Sequence, residues 1–296
     1  MRALAVLVVL WSSAGALMAQ RPAVSRDVRG WMARVGERIE QYYARAQSII
    51  CEETVRLEPL GSDLLSNGEH IRVLVYELRI SWEGRADGEK DSRAAPAATV
   101  LRQLLTVNGK PPRPGDEPGC LDPKSVSPEP LGMLLPHRQG EYVFTWKSLG
   151  RESGRPSVAL DYTVARKQAA TAVWKGDCGT IDLPTRGRVW LDPATADVLR
   201  LDEQAAGQHE VPAPESPRRR GVRASSFIVE RADSSIAYRP VTFHDPDETL
   251  MLPASITSLQ VIRNSGTPRL RKYQKFAKYR RFITGARIVV NPPARE

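Results

Sequence analysis

The chain has 296 residues, of which 41% are hydrophobic and 26% are charged. This balance is typical of a globular protein and excludes wholesale disorder. The 43 basic residues exceed the 34 acidic ones and give a net charge of +9, which favours acidic partners without naming one. The 23 prolines and 21 glycines divide the chain into many short segments and exclude a bundle of long helices.

The first 19 residues predict a signal peptide. Arg2 precedes an apolar run from Ala3 to Trp11 and then several small residues, which is the order of a secretory signal. Cleavage after Ala16 or after Ala19 fits this pattern, and we favour Ala19. An uncleaved membrane anchor is the alternative, but the apolar run is shorter than the ~20 residues that span a bilayer. We therefore expect a periplasmic or secreted mature protein.

The three cysteines of an exported chain allow one disulfide and one free thiol. Cys120 and Cys178 lie in glycine-flanked segments that we interpret as loops, so we expect these two to pair. Cys51 directly follows a predicted helix and would then be free. The alternative is that all three are unpaired and that Cys51 is a small buried apolar residue.

A single strong helix is predicted between Arg26 and Ile49. Apolar residues recur there at the i, i+3, i+4, i+7 spacing of an amphipathic helix. Pro22 and Ser25 are suitable residues to begin and cap it. Such a helix needs a sheet on which to pack its apolar face.

After the helix, apolar and polar residues alternate, which is typical of half-buried strands. Leu74–Trp82 shows this first, and Tyr142–Trp146 with Val158–Val164 predicts a hairpin that turns near Gly154. Arg188–Asp192 and Val198–Asp202 predict a second hairpin, with its turn at 193–196. Further strands are predicted at Glu52–Glu58, Val100–Val107, Phe227–Glu230, Ile236–Phe243, Ile256–Ile262, Arg271–Phe282 and Arg287–Val290. About eleven antiparallel strands behind one helix indicate an α+β fold.

Two proline-rich segments, 110–136 and 207–221, are predicted to be long loops rather than core. A domain boundary near residue 150 is not supported, because strands with apolar faces continue on both sides of it without a linker. We therefore predict one domain over residues 20–296.

One motif suggests catalysis. Gly176–Gly179 resembles the nucleophile signature of chymotrypsin-like cysteine proteases, with Cys178 as nucleophile, His70 as base, and Asp116 or Asp122 between them. The second glycine common in that family is missing, and a loop cysteine in an oxidising compartment more often forms a disulfide. We expect a protein that is not an enzyme.

The other histidines do not predict a metal site. His137, His209 and His244 show no paired spacing of the zinc-binding kind. The segment 244–248 gathers three acids but lacks the spacing of a calcium loop, and a tight turn between two strands explains it better. We predict no metal and no cofactor.

The segment Arg269–Phe282 interleaves basic and aromatic residues. We do not expect a nucleic-acid partner for an exported protein. One interpretation is a surface for anionic membrane headgroups, formed by Arg271, Lys272, Lys275 and Lys278. The other, which we favour, is a long edge strand whose charges discourage pairing with another chain.

The order of one helix and many strands, with Gly187–Pro193, Val198–Leu201, Leu250–Pro253 and Tyr279–Thr284, resembles a group of secreted bacterial proteins. That group lies close to the periplasmic lipoprotein-carrier superfamily, the LolA/LolB and RseB-like proteins. The resemblance implies a strongly curved antiparallel sheet, a half-barrel, with one long N-terminal helix. It also implies an apolar concavity that holds acyl chains without covalent chemistry.

Aromatic residues on the predicted inner faces are the candidate ligand contacts. They are Trp31, Tyr42, Tyr76, Trp82, Tyr142, Phe144, Trp146, Tyr162 and Trp190. An ordinary core that buries all of them is the alternative. We expect an exported binding protein for a lipid, an acyl chain or another apolar ligand. A module that binds an envelope protein or a glycan is the alternative, and a cysteine protease using Cys178 is less favoured.

Overall fold

The computed structural model of the chain describes residues 26–46, 48–82, 98–116, 131–166, 169–175, 178–213, 226–244 and 247–281. These residues form one α-helix, two short 3₁₀ turns and a series of strands. The helix is α1 (Val28–Arg45), and the 3₁₀ turns are Gly132–Leu134 and Gln139–Glu141. The strands are β1 (Ile49–Pro59), β2 (Arg72–Trp82), β3 (Ala98–Val107), β4 (Tyr142–Glu152), β5 (Arg155–Val164), β6 (Thr171–Lys175), β7 (Cys178–Asp182), β8 (Thr185–Leu191), β9 (Val198–Ala205), β10 (His209–Pro212), β11 (Ser226–His244), β12 (Asp247–Arg263) and β13 (Arg269–Arg281).

The predicted amphipathic helix is confirmed, with shorter bounds. It begins at Val28 because the side chain of Asp27 accepts a hydrogen bond from the Arg29 N–H at 3.0 Å and so caps the helix. The predicted Pro22 and Ser25 lie outside the described residues. The chain leaves the helix after Arg45, and Ser48 has a φ of 55°, a left-handed conformation that a right-handed helix cannot continue.

The strands form one open antiparallel sheet in the order β3-β2-β1-β13-β12-β11-β9-β8-β5-β4, with β10 paired to β11. Strands β6 and β7 form a separate hairpin. Strands β3 and β4 are the two edges of the sheet within the described part of the chain. The strong half-barrel curvature stays a prediction.

Two predicted hairpins are confirmed. Strands β4 and β5 are joined by Ser153 and Gly154, whose φ values of 47° and 80° suit a tight hairpin turn. Strands β8 and β9 pair across a turn at 193–197. The two strands predicted between Phe227 and Phe243 are one continuous strand, β11, and the predicted strand Arg287–Val290 lies outside the described residues.

The loop predictions are wrong in three places. The segment 207–221 contains β10, where Val211 is fully buried. The segment 110–136 ends in a core cluster, Leu131–Leu135, because these apolar side chains pack against α1 and the sheet. Cys178 begins β7, where it pairs with Lys175 of β6, rather than lying in a loop.

The prediction of an edge strand near the C-terminus is also wrong. Strand β13 lies between β1 and β12, and Leu270, Gln274 and Phe276 are buried at alternate positions. Gln274 donates a hydrogen bond to the Glu53 carboxylate at 2.8 Å, and the Arg102 Nε is 2.8 Å from the other oxygen of that carboxylate. This fully buried acid therefore ties β13 to β1 and β3.

The sheet has two faces with different roles. Helix α1 and the Leu131–Leu135 segment pack on alternate strand residues to form the main core. The strand residues include Val158, Leu160, Val189, Leu191, Leu201 and Ile236. We name this side the helix face. Because successive strand residues point to opposite sides, the intervening residues form the other side, which we name the open face.

Polar contacts fix α1 on the helix face. Arg34 Nη2 donates to the Pro193 and Ala194 carbonyls at 3.3 and 3.1 Å, and Arg38 Nε is 2.5 Å from Asp197 Oδ1. Near the other end of the helix, Arg45 Nε is 3.0 Å from Glu248 Oε2. The helix is therefore attached both to the β8–β9 turn and to β12.

We expect Gly187→Ala to destabilise the fold by about 1–3 kcal/mol because the site has no room for a methyl group. The added Cβ would lie 1.9 Å from the Asp202 carbonyl oxygen and 2.7 Å from the Tyr162 hydroxyl. Thermal unfolding followed by circular dichroism measures the loss. Gly150→Ala is the matched control, since its Cβ would meet only Ser157 Oγ at 4.0 Å. Equal melting temperatures for the two variants would contradict this prediction.

Candidate functional site

The helix face brings together most of the aromatic residues that the sequence singled out. Trp31 and Tyr162 are buried in the main core, and the half-buried rings of Tyr42, Tyr142, Phe144 and Trp146 pack against it. Tyr76 belongs to a second apolar cluster, with Leu74 and Leu270 among others. The side chain of Trp82 lies outside the described residues.

The pocket between α1 and the sheet is small. It has a volume of about 20 Å³ and is lined by Ile39, Tyr42, Leu131 and Tyr238 among others. This volume suits about one water molecule, whereas small-molecule sites measure about 300–1,000 Å³. The predicted acyl-chain site therefore stays a prediction, and it requires α1 or the Leu131–Leu135 segment to move.

The open face carries a larger site, which we name the groove. It has a volume of about 870 Å³ and crosses six strands. One lining residue from each strand is Val143, Asp161, Arg188, Asp202, Ser235 and Thr257. The groove was not predicted from the sequence, because its mostly polar positions were interpreted as solvent-exposed strand residues. The repetition of polar residues at corresponding positions of neighbouring strands is the pattern that could have indicated it.

Arginine–aspartate pairs line the groove. Arg188 Nε on β8 is 2.5 Å from Asp161 Oδ1 on β5, and Arg231 Nε on β11 is 3.1 Å from Asp233 Oδ2. Beside them, Arg200 donates through Nε and Nη2 to both oxygens of Asp202 at 2.7 and 2.9 Å. The fixed pairs present many hydrogen-bonding groups while most of the charge is neutralised.

Trp190 lines the groove and is also partly buried against the main core. The guanidinium carbons of Arg188 and Arg200 lie over its ring, 5.5 and 4.9 Å from the ring centre. Arg200 is the direct cross-strand neighbour of Trp190. Two cation–π contacts therefore already occupy this ring and hold it in place.

The partly buried carboxyl group of Glu203 adjoins the groove from the helix face, where it contacts the core residue Tyr162. The Tyr162 hydroxyl is 3.5 Å from Glu203 Oε2. Gly187 of β8 lies between Tyr162 of β5 and Glu203 of β9 in the sheet, so the Tyr162 side chain crosses over it. Burial raises the pKa of Glu203, nearby Asp182 adds to this shift, and hydrogen bonds from Thr185 and Tyr162 oppose it. Burial followed by the Glu203 charge raises the pKa of Tyr162. The surroundings of Glu203 therefore favour the neutral acid.

The four basic residues predicted as a headgroup surface do not form one patch. Lys272 pairs across β1 with Leu57, which is buried, so it faces the other way from Arg271 and Lys275. Lys278 Nζ is 2.6 Å from Glu52 Oε2, and Arg271 Nη2 donates to the Leu64 carbonyl at 3.2 Å. The four residues are therefore divided between the two faces of β13, and Lys278 and Arg271 each contact a polar group elsewhere in the chain.

The described residues give no support to the cysteine protease hypothesis. His70 lies in the β1–β2 connection, whereas Cys178 lies in the β6–β7 hairpin, which contacts β10. Strands β13, β12 and β11 separate β1 from β10, so the two residues lie in different parts of the fold. Cys120, Asp122 and the side chain of Cys178 are outside the described residues, so the proposed disulfide is not tested.

Cys51 is a free, buried thiol. Burial, followed by the charge of Glu53, raises its pKa to about 12, while Arg102 opposes this shift. The thiol is therefore unreactive at neutral pH.

The described ranges contain neither a candidate metal cluster nor a candidate membrane-spanning helix. In these ranges, no three His, Cys, Asp or Glu side chains converge as a metal site would require. No helix in the same ranges has the length and apolar character needed to cross a bilayer. Of the predicted turn 244–248, His244 and Asp247 are a cross-strand pair of β11 and β12, and residues 245 and 246 lie outside the described ranges.

Comparison with known proteins finds solved structures but no matching family model and no matching curated protein. A LolA superfamily protein from Nitrosomonas europaea matches with a TM-score of 0.36 and 7% identity, over 85% of this chain and 94% of that one. A DUF1329 family protein from Desulfovibrio piger has a TM-score of 0.42 and 10% identity, over 88% and 95% of the two chains. An outer membrane lipoprotein-sorting protein domain from Vibrio parahaemolyticus has a TM-score of 0.37 and 12% identity, over 86% and 94%.

These structures include a protein of the LolA superfamily, the superfamily that the sequence resembles. The identities do not exceed 12% and the TM-scores do not exceed 0.42. We therefore carry no ligand and no functional residue over from these proteins.

We expect stability to depend on pH through Glu203. Because its pKa is raised above the ordinary 4.5, the folded state binds this proton more tightly than the unfolded state does. The free energy of unfolding should therefore fall relative to that of Glu203→Gln as pH rises above 4.5. Urea unfolding at a series of pH values measures the difference. Glu69→Gln, which changes an exposed loop carboxylate, should show no such trend, and parallel curves for the wild type and Glu203→Gln would refute the prediction.

Proposed function

We propose that this chain is an exported binding module, a single domain over residues 20–296, that holds an extended segment of a partner protein in the groove. The observation that carries the proposal is the difference in space between the two faces. The groove has about 870 Å³, whereas the pocket beside α1 has about 20 Å³. Only the first lies within the range of ordinary ligand sites.

The chemistry of the groove supports a polypeptide ligand. Paired arginines and aspartates, together with Ser235 and Thr257, offer donors and acceptors for the backbone and side chains of a peptide. A glycan is supported less well. Sugar rings commonly stack on an open aromatic face, and the Trp190 ring already carries two guanidinium groups.

The lining carboxylates support binding rather than proton transfer. Asp161 and Asp233 are each hydrogen-bonded to an arginine, which holds them in fixed positions. A general acid or base needs a group that is free to exchange its proton with a ligand.

An acyl chain on the helix face is the second candidate, because that face is apolar and is covered by α1 and Leu131–Leu135. We expect the wild type to show no saturable increase in cis-parinaric acid fluorescence, since the pocket of about 20 Å³ is too small for an acyl chain. Saturable, stoichiometric binding would show that α1 opens. It would favour the carrier function over the groove.

The groove is tested by blocking its floor with Ser235→Trp. We expect peptides selected from a phage-displayed random library to bind the wild type and to lose at least about tenfold in affinity for this variant, or ~1.4 kcal/mol. Leu65→Trp adds the same ring to an exposed loop and should leave affinity unchanged. Selected peptides that bind all three proteins equally would sink the proposal.

A further inference from the structure

A row of side chains crosses the groove without partners of its own. Arg186 on β8 pairs directly with Thr163 on β5 and with Gln204 on β9, so the three side chains are cross-strand neighbours. Directly opposed residues have Cβ atoms about 4.5–5.5 Å apart, and all three line the groove. Together they form a contiguous set of hydrogen-bonding groups on the open face.

Arg186 differs from the other arginines of the groove. Arg188 and Arg231 each bind an aspartate. Within the described part of the chain, the side chains of Arg186, Thr163 and Gln204 form no hydrogen bond or ion pair. The guanidinium of Arg186 is therefore the one lining cation whose charge the described residues leave unneutralised.

We propose that Thr163, Arg186 and Gln204 form a subsite for an acidic side chain of the bound polypeptide, which rests on the proposed function of the groove. A guanidinium presents two parallel N–H groups that match a carboxylate. The Thr163 hydroxyl and the Gln204 amide supply donors for the remaining lone pairs.

Neighbouring groups determine which anion fits. Gln204 pairs across the sheet with Asp233, and Asp161 and Asp202 lie in the next row of the groove. These aspartates disfavour a dianionic phosphate more than a singly charged carboxylate. The row thus selects a single negative charge.

The ends of the row identify the residues that flank the acid. Val143 pairs with Thr163 at one end, and Leu259 pairs with Asp233 at the other. Val143 is 48% exposed although it is apolar. A polypeptide with apolar residues on both sides of an acidic one matches this arrangement, whereas an acidic glycan offers no apolar side chains.

The probe is a fluorescein-labelled octapeptide with a central glutamate and a leucine near each end. Its matched control has glutamine in place of the glutamate. By fluorescence anisotropy, we expect the glutamate peptide to bind the wild type and to bind Arg186→Gln about tenfold more weakly. Arg186→Lys should keep part of the affinity because it keeps the positive charge. It should lose the rest because an ammonium group lacks the two parallel N–H groups of a guanidinium. Arg113→Gln, which removes an exposed arginine of the loop after β3, should bind as the wild type does.

The inference is overturned if Arg186→Gln binds as tightly as the wild type, if the glutamine peptide binds equally well, or if the wild type shows no binding at about 1 mM peptide. Stronger competition by oligogalacturonate or inorganic phosphate than by unlabelled peptide would assign the subsite to a glycan or to phosphate and would also overturn it. Arg186→Gln should keep the wild-type melting temperature, because exposed unpaired charges add little to stability. A large fall would show that Arg186 has a structural role instead.

Ser235→Trp distinguishes failure of the subsite from failure of the groove. If Ser235→Trp loses the peptide and Arg186→Gln keeps it, the groove is supported and the subsite is wrong. If both variants keep the peptide, the groove itself is wrong.

Discussion

The attachment of α1 to one face of the sheet is the constraint on which the rest of the structure depends. Arg34 and Arg38 hold the helix to the β8–β9 turn, and Arg45 holds it to Glu248. The helix and the Leu131–Leu135 segment then cover the apolar strand residues, and the pocket between them has a volume of only about 20 Å³. Ligand space in the described structure is consequently found on the opposite face, where polar side chains line the groove.

Much of the fold could be predicted because it depends on local patterns. The apolar stripe of α1 and the alternation in β4 and β5 are visible within short windows of sequence. Sheet order is not visible in this way, since β13 pairs with β1 from the other end of the chain. A basic strand with one apolar face therefore looked like an edge strand, although its Leu270 and Phe276 complete the core.

The groove was harder to predict than the fold for a related reason. Pattern analysis treats the apolar positions of a strand as informative and the intervening polar ones as solvated. Arg188, Asp161 and Arg200 acquire meaning only when β5, β8 and β9 are placed side by side. Trp190 was noticed as an aromatic residue, but its two arginine neighbours were not. Gly187 was noticed only for family resemblance, although it makes room for Tyr162.

The central position of β13 has a consequence for how the chain folds. Gln274 reaches the buried Glu53 from 221 residues later in the sequence, and without it that carboxylate would lose one of its two partners. The middle of the sheet therefore cannot close until nearly the whole chain has been synthesised. Contacts this distant in sequence also slow folding. A polypeptide with this topology lacks its complete sheet until β13 has been made, and an incompletely folded chain can still pass through a narrow channel.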